Sequence, residues 1–154
     1  MGKLALFVMI GLVASGAMAR AQSLGIQEQC ASQARKAFLE LEDENKARHN
    51  QSTSIHDGAS DYQSHYNRKL DRCLILISRR SVLPLATDLS DQQRQSVLVD
   101  ANERRYYANY VETQLATETK PKIETCELMP GMRHKTVCAT RAEFDAFAAS
   151  YLEN

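Results

Sequence analysis

Residues 61–77 read DYQSHYNRKLDRCLILI, and this stretch decides the fold. Its second half, residues 73–77, is a short run of apolar residues, which is typical of a buried strand. Its first half alternates in part, with Tyr62, Ser64 and Tyr66 on one side of an extended chain. The polar residues between the two halves suit a turn, so we predict a β-hairpin.

A short helix is the competing interpretation of the first half, because Tyr62, Tyr66 and Leu70 also lie four residues apart. In the hairpin, Tyr66 packs inward and His65 faces outward. Asn67 then supplies the turn, since asparagine tolerates left-handed backbone geometry.

Two more strands are predicted after the hairpin, at residues 96–101 and 105–111, with a tight connection between them. The second is rich in aromatic residues that favour strands, and residues 122–129 are a further candidate. The polar segment 45–60 is expected to be a loop. The region after Pro84 is expected to be a loop as well, with a helical turn near residues 90–95.

A helix is predicted at each end of the chain. Residues 24–46 place apolar residues on one face, and the C-terminal helix begins at a capping box formed by Thr140 and Glu143. We therefore expect an α+β fold, an antiparallel β-meander of about four strands flanked by an N-terminal and a C-terminal helix. Both helices are expected to cover one face of the sheet. The apolar positions of the first helix are Ile26, Cys30, Ala34, Ala37, Phe38 and Leu41.

The N-terminus has the features of a secretory leader. Lys3 precedes an apolar run, residues 4–13, and small residues end in an Ala-Met-Ala motif. The run is about half as long as a bilayer-spanning helix, so we expect no stable membrane anchor after cleavage. We predict a signal peptide at 1–19, with cleavage after Ala21 as the alternative. One soluble α+β domain, 20–154, then lies in the periplasm or outside the cell.

The four cysteines allow three pairings, and disulfides persist in exported proteins. Cys126 and Cys138 lie nearly symmetrically about a Pro-Gly turn signal, so the two arms leaving that turn bring them together. Elimination then joins Cys30 to Cys73 and clamps the first helix to the strand that starts at Cys73. The alternative is that one pair stays reduced.

Charge and missing motifs exclude several partner classes. Removing Lys3 from the 19 basic residues leaves one fewer than the 19 acidic residues, a net charge of −1. This balance gives no basic excess for a nucleic-acid backbone. No phosphate-binding glycine loop, nucleophile elbow or Cys-x-x-Cys motif is present, so no cofactor and no structural metal are expected.

Two groups of residues are candidate sites. His56, Asp57, Asp61 and His65 carry the ligand types of zinc and of a general-base pair, provided that their loop folds back. Solvated polar loop residues are the alternative interpretation, because the spacing fits no known ligand motif.

The second group is a predicted exposed strip on one face of a strand, formed by Arg105, Tyr107 and Asn109. Tyrosine and arginine are enriched where proteins bind partners. Ordinary sheet packing with cation–π contacts is the alternative.

Several strings together resemble small exported bacterial proteins of unassigned function. This resemblance implies a periplasmic or secreted location, and it supplies no activity, substrate or catalytic residue. The strings are Gln29-Cys30 with Ala34 and Phe38, segment 64–73, Asp100-Ala101, segment 107–110, Cys126, Cys138 and Glu143-Phe144.

The lack of enzymatic motifs favours a partner-binding or accessory module of the periplasm or extracellular space, with a protein or small ligand of the envelope as its partner. The alternative is a small hydrolase or metal-dependent enzyme that uses the loop of His56, Asp57, Asp61 and His65. A structural envelope protein is the third interpretation.

Overall fold

The computed structural model describes residues 11–49, 56–84, 90–130 and 134–153, which form two helices and a six-stranded antiparallel sheet. The strands are neighbours in space in the order of the sequence, so the sheet is a meander. The α+β class is confirmed, and the expected number of about four strands is too low. The elements are α1 (Gly11–His49), β1 (His56–Asn67), β2 (Arg72–Pro84), β3 (Ser90–Asp100), β4 (Tyr106–Gln114), β5 (Lys122–Leu128), β6 (Thr136–Val137) and α2 (Arg141–Leu152).

The predicted hairpin is present as β1 and β2, which pair antiparallel outward from Asn67 opposite Arg72. The short-helix interpretation is therefore wrong. The turn after β1 and the turn after β3 are built alike, because the side chains of Asn67 and Asp100 accept the backbone N–H three residues later, at 3.0 Å and 2.9 Å. Each turn then places a residue in the left-handed region, Asp71 at φ 54° and Arg104 at φ 53°.

Two loop expectations need correction. Helix α1 continues to His49 and β1 starts at His56, so the predicted loop at 45–60 is wrong at both ends, and residues 50–55 lie outside the described residues. The predicted helical turn near residues 90–95 is the first half of β3. This half is polar and carries no apolar periodicity, so only its pairing with β2 and β4 defines it as a strand.

The two helices lie on opposite faces of the sheet, which corrects the expectation that they share one face. The run at residues 73–77 is apolar at every position, as in strands that are buried on both sides. Its odd-numbered residues pack with α1 on what we call the α1 face, and Leu74 and Leu76 pack with α2 on the α2 face. The small residues Ala34 and Ala37 line the contact between α1 and the sheet, and Phe144 fills the contact between α2 and the sheet.

Both predicted disulfides are confirmed. Cys30–Cys73 joins α1 to β2 with Cα atoms 5.3 Å apart, and Cys126–Cys138 joins β5 to the segment before α2 with Cα atoms 5.1 Å apart. Each helix is thus fastened to the sheet face that it covers. Within the part of the chain that the structure describes, neither helix has the length and apolar character needed to cross a membrane.

Candidate ligand-binding basin

Helix α2 is too short to cover its face of the sheet. Its 12 residues extend about 18 Å, whereas the 13 residues of β2 extend about 43 Å. The C-terminal end of α2 is held at the β1–β2 turn, where the Asn67 side-chain amide donates to the Tyr151 carbonyl at 2.8 Å. Within the described part of the chain, α2 therefore leaves the opposite ends of the strands uncovered beyond its first residue, Arg141.

This uncovered area is a concave surface lined by polar and charged residues, with a cavity of about 460 Å³. We call it the arginine basin. Its floor contains the hydroxyl groups of Ser78 and Ser96, whose oxygens lie 3.5 Å apart on adjacent strands. Ser96 is only 1% exposed, so a hydroxyl is buried on a face whose other end packs apolar side chains against α2. The lining residues are Asp61, Ser78, Arg79, Arg80, Arg94, Gln95, Ser96, Glu112 and Arg141.

A row of charged residues crosses the basin from β2 to β4. Arg80 lies directly opposite Arg94, and Arg94 lies directly opposite Glu112. The Arg94 Nη1 is 3.8 Å from the Glu112 Oε1. Among the residues whose side chains the structure describes, 24–47, 60–83, 90–130 and 134–153, no carboxylate lies within ion-pair distance of Arg80. Two guanidinium groups are therefore cross-strand neighbours, and within those residues only Arg94 has an acidic partner.

The remaining walls of the basin are fixed by the core under α2. The buried Tyr110 hydroxyl donates to the Glu112 Oε2 at 2.8 Å. Burial, together with this hydrogen bond to a carboxylate, raises the pKa of Tyr110 to about 12. The Arg141 guanidinium lies 5.1 Å from the centre of the Tyr110 ring, and its Nε donates to Asp145 at 2.8 Å. Glu112 and Arg141 are thus held in place before any ligand arrives.

The predicted site at His56, Asp57, Asp61 and His65 is not assembled. All four residues lie on the extended strand β1, with His56 opposite Val82 and His65 opposite Leu74. Nine residues of strand span about 30 Å, so the two histidines cannot bind one ion. The expectation that this segment folds back as a loop is therefore wrong. Of the two members whose side chains the structure describes, Asp61 lines the basin and His65 does not. The described residues include no cluster of three or more histidine, cysteine or acidic side chains suited to a metal.

The predicted strip of Arg105, Tyr107 and Asn109 is also corrected. The register between β3 and β4 shifts at Tyr107, and such a bulge interrupts the alternation of side chains. Tyr107 is consequently 2% exposed and packs edge-on against a ring of α2, whereas Tyr106 is 47% exposed. Arg105 is exposed, and the Asn109 side chain accepts a hydrogen bond from Gln95. The three residues therefore do not form one exposed surface.

Sequence reasoning missed most of the basin residues, although a signal for them exists. Ser78 and Arg80 are two residues apart, and so are Arg94 and Ser96, which is the spacing of side chains on one face of a strand. This signal can be used only if both segments are assigned to strands. The sequence instead predicts a helical turn near residues 90–95, which include Arg94.

No protein-family model matches the chain, no curated protein matches it, and no solved structure matches it. A function for this fold has to be inferred from its own residues.

Proposed function

We propose that this protein is an exported binding module and that it binds its ligand in the arginine basin. The observation that carries the proposal is the juxtaposition of Arg80 and Arg94 beside two hydroxyl groups, that of half-buried Ser78 and that of buried Ser96, in an open cavity. A sheet face that served only packing would place apolar side chains there, as the other end of the same face does.

Export is supported by the leader-like N-terminus and by the two disulfides. Lys3, the apolar run and the Ala-Met-Ala motif have the order of a cleavable signal. Two disulfides that fasten both helices suit an oxidising compartment, such as the periplasm or the extracellular space. A binding partner from the cell envelope is consistent with that location.

The enzyme alternative lacks a comparable observation. It depends on His56 and His65 converging, and the strand holds them about 30 Å apart. The basin itself presents guanidinium and hydroxyl groups, which bind and orient ligands. Its buried carboxylate, Glu112, is already engaged by Tyr110.

A capture experiment tests the proposal. The oxidised protein is isolated from the periplasm or the medium, where cleavage leaves Arg20 or Gln22 as its first residue. It is immobilised and exposed to envelope extract beside the double variant R80Q/R94Q. The control is R68Q, which removes an exposed arginine from the turn at the other end of the sheet.

We expect one molecular species that the wild type and R68Q retain and that R80Q/R94Q does not. Equal retention by all three proteins would overturn the basin as the binding surface. Recovery of the chain from the cytosol with its leader intact would overturn export.

A further inference from the structure

We infer that the ligand of the arginine basin carries an oxyanion group, which binds between Arg80 and Arg94 above Ser78 and Ser96. This inference rests on the proposed binding function and adds the chemical class of the ligand. The oxyanion is a carboxylate, a phosphate or a sulfate, since all three accept paired hydrogen bonds from guanidinium groups.

The first argument is the charge of the cross-strand pair. Arg80 and Arg94 are directly opposite on neighbouring strands, where side chains approach closely and like charges destabilise a sheet. Glu112 offsets only Arg94, and at 3.8 Å it does so loosely. An anion placed between the two guanidinium groups relieves this repulsion, so the fold holds a site that is more favourable when it is filled.

The second argument is the chemistry of the floor. Ser78 and Ser96 form the next cross-strand pair on the same face, two residues along each strand from the two arginines. Their oxygens are 3.5 Å apart, at the limit of a hydrogen bond, so at most one hydroxyl donates to the other and the proton of at least one hydroxyl is left for the cavity. Guanidinium N–H groups and hydroxyl groups are both donors, as an oxyanion requires.

The carboxylates of the basin define its edges. The Glu112 carboxylate accepts from Tyr110 and faces Arg94, and the Asp61 Oδ1 accepts from the backbone N–H of Tyr62 at 2.7 Å. They lie on the two outer strands of the basin, Glu112 opposite Arg94 and Asp61 opposite Ser78, and oppose an anion with a large spread charge. The site therefore suits a single oxyanion group rather than a polyanion.

Thermal unfolding and amide-detected NMR of the oxidised protein test the inference. Sodium phosphate, sodium sulfate and sodium acetate are titrated separately at constant ionic strength, which is maintained with chloride. The variants are R80Q and R80K, with R68Q as the matched control.

We expect the Tm of the wild type and of R68Q to rise with at least one of the three anions, with saturable shifts at the amides of Ser78 and Ser96. R80Q should weaken anion binding about tenfold or more. Without anion its Tm should lie above that of the wild type, because the like-charge pair is gone. R80K should keep part of the response. The anion that acts at the lowest concentration distinguishes a carboxylate ligand from a tetrahedral one.

Two results would overturn the inference, namely the same anion response in R80Q as in the wild type, or no saturable response to any of the three anions. Capture that still depends on Arg80 and Arg94 in the absence of any anion response would remove the oxyanion class and leave the proposed function standing. Anion binding at Arg80, together with unchanged capture by R80Q/R94Q, would leave the oxyanion site standing and would remove the basin as the surface that captures the partner.

Discussion

The two faces of the sheet solve the same packing problem differently. On the α1 face, Ala34 and Ala37 let a long helix approach closely, and Cys30–Cys73 fastens it. On the α2 face, Phe144 of a short helix fills the space, and this helix does not reach the far ends of the strands. The comparison shows that the shorter helix leaves part of its sheet face open, and this open part forms the arginine basin.

The largest expected effect is the loss of either disulfide. The Cys30–Cys73 bond closes 43 residues of chain and the Cys126–Cys138 bond closes 12. Chain entropy predicts that the variant C30A/C73A loses about 4 kcal/mol of stability and that C126A/C138A loses about 3 kcal/mol. Urea unfolding of both variants under oxidising conditions measures the difference.

A larger loss of stability for C126A/C138A than for C30A/C73A would contradict the ranking of the two disulfides by chain entropy. It would mean that the bond beside α2 contributes more than loop closure, for instance by holding α2 in place. The basin would then depend on this disulfide, since Arg141 is the first residue of α2.

Much of the fold follows from local sequence. The run at residues 73–77, the capping box of α2 and the asparagine turn predict elements that the structure confirms, because each signal lies within a few neighbouring residues. Thr140 accepts from the Glu143 N–H at 3.2 Å as predicted. The apolar run also indicates that both sheet faces are covered, which the prediction of two helices on one face does not take into account.

The predictions fail where the pairing of strands, rather than local sequence, determines the structure. No glycine marks the bulge that turns Tyr107 into the core. The polar first half of β3 has no strand signal of its own. The Arg80–Arg94 pair exists only because of the β2–β3 register, so a candidate site built from single segments does not contain it.

An intermediate effect is expected from enlarging a small residue on the α1 face. Ala34 is fully buried against the sheet, so A34L should force α1 away from it and cost about 2 kcal/mol. The control is A31L, which makes the same change at an exposed position of the same helix and should change stability by less than about 0.5 kcal/mol. Thermal unfolding of the two variants provides the comparison. Equal effects would show that the small residues do not set the approach of α1.

The smallest effect is expected from removing one hydrogen bond on the α2 face, beside the basin. Y110F removes the hydrogen bond to Glu112 and should cost about 1.5 kcal/mol at pH 8, because the buried carboxylate loses a donor. The matched control is Y106F, since Tyr106 is 47% exposed and should tolerate the change. Urea unfolding at pH 8, 10 and 11 measures both variants.

The same pair of variants should also reveal a pH dependence. An unfolded tyrosine ionises near pH 10, whereas the pKa of Tyr110 in the fold is raised to about 12. Between these values the unfolded chain releases a proton that the folded protein retains, so the wild type loses stability as the pH rises through this window. Y110F lacks this loss, and the gap between it and the wild type should narrow above pH 10. A gap that stays constant from pH 8 to 11 would mean that the fold does not raise the pKa of Tyr110, which would contradict the burial of its hydroxyl together with its hydrogen bond to Glu112.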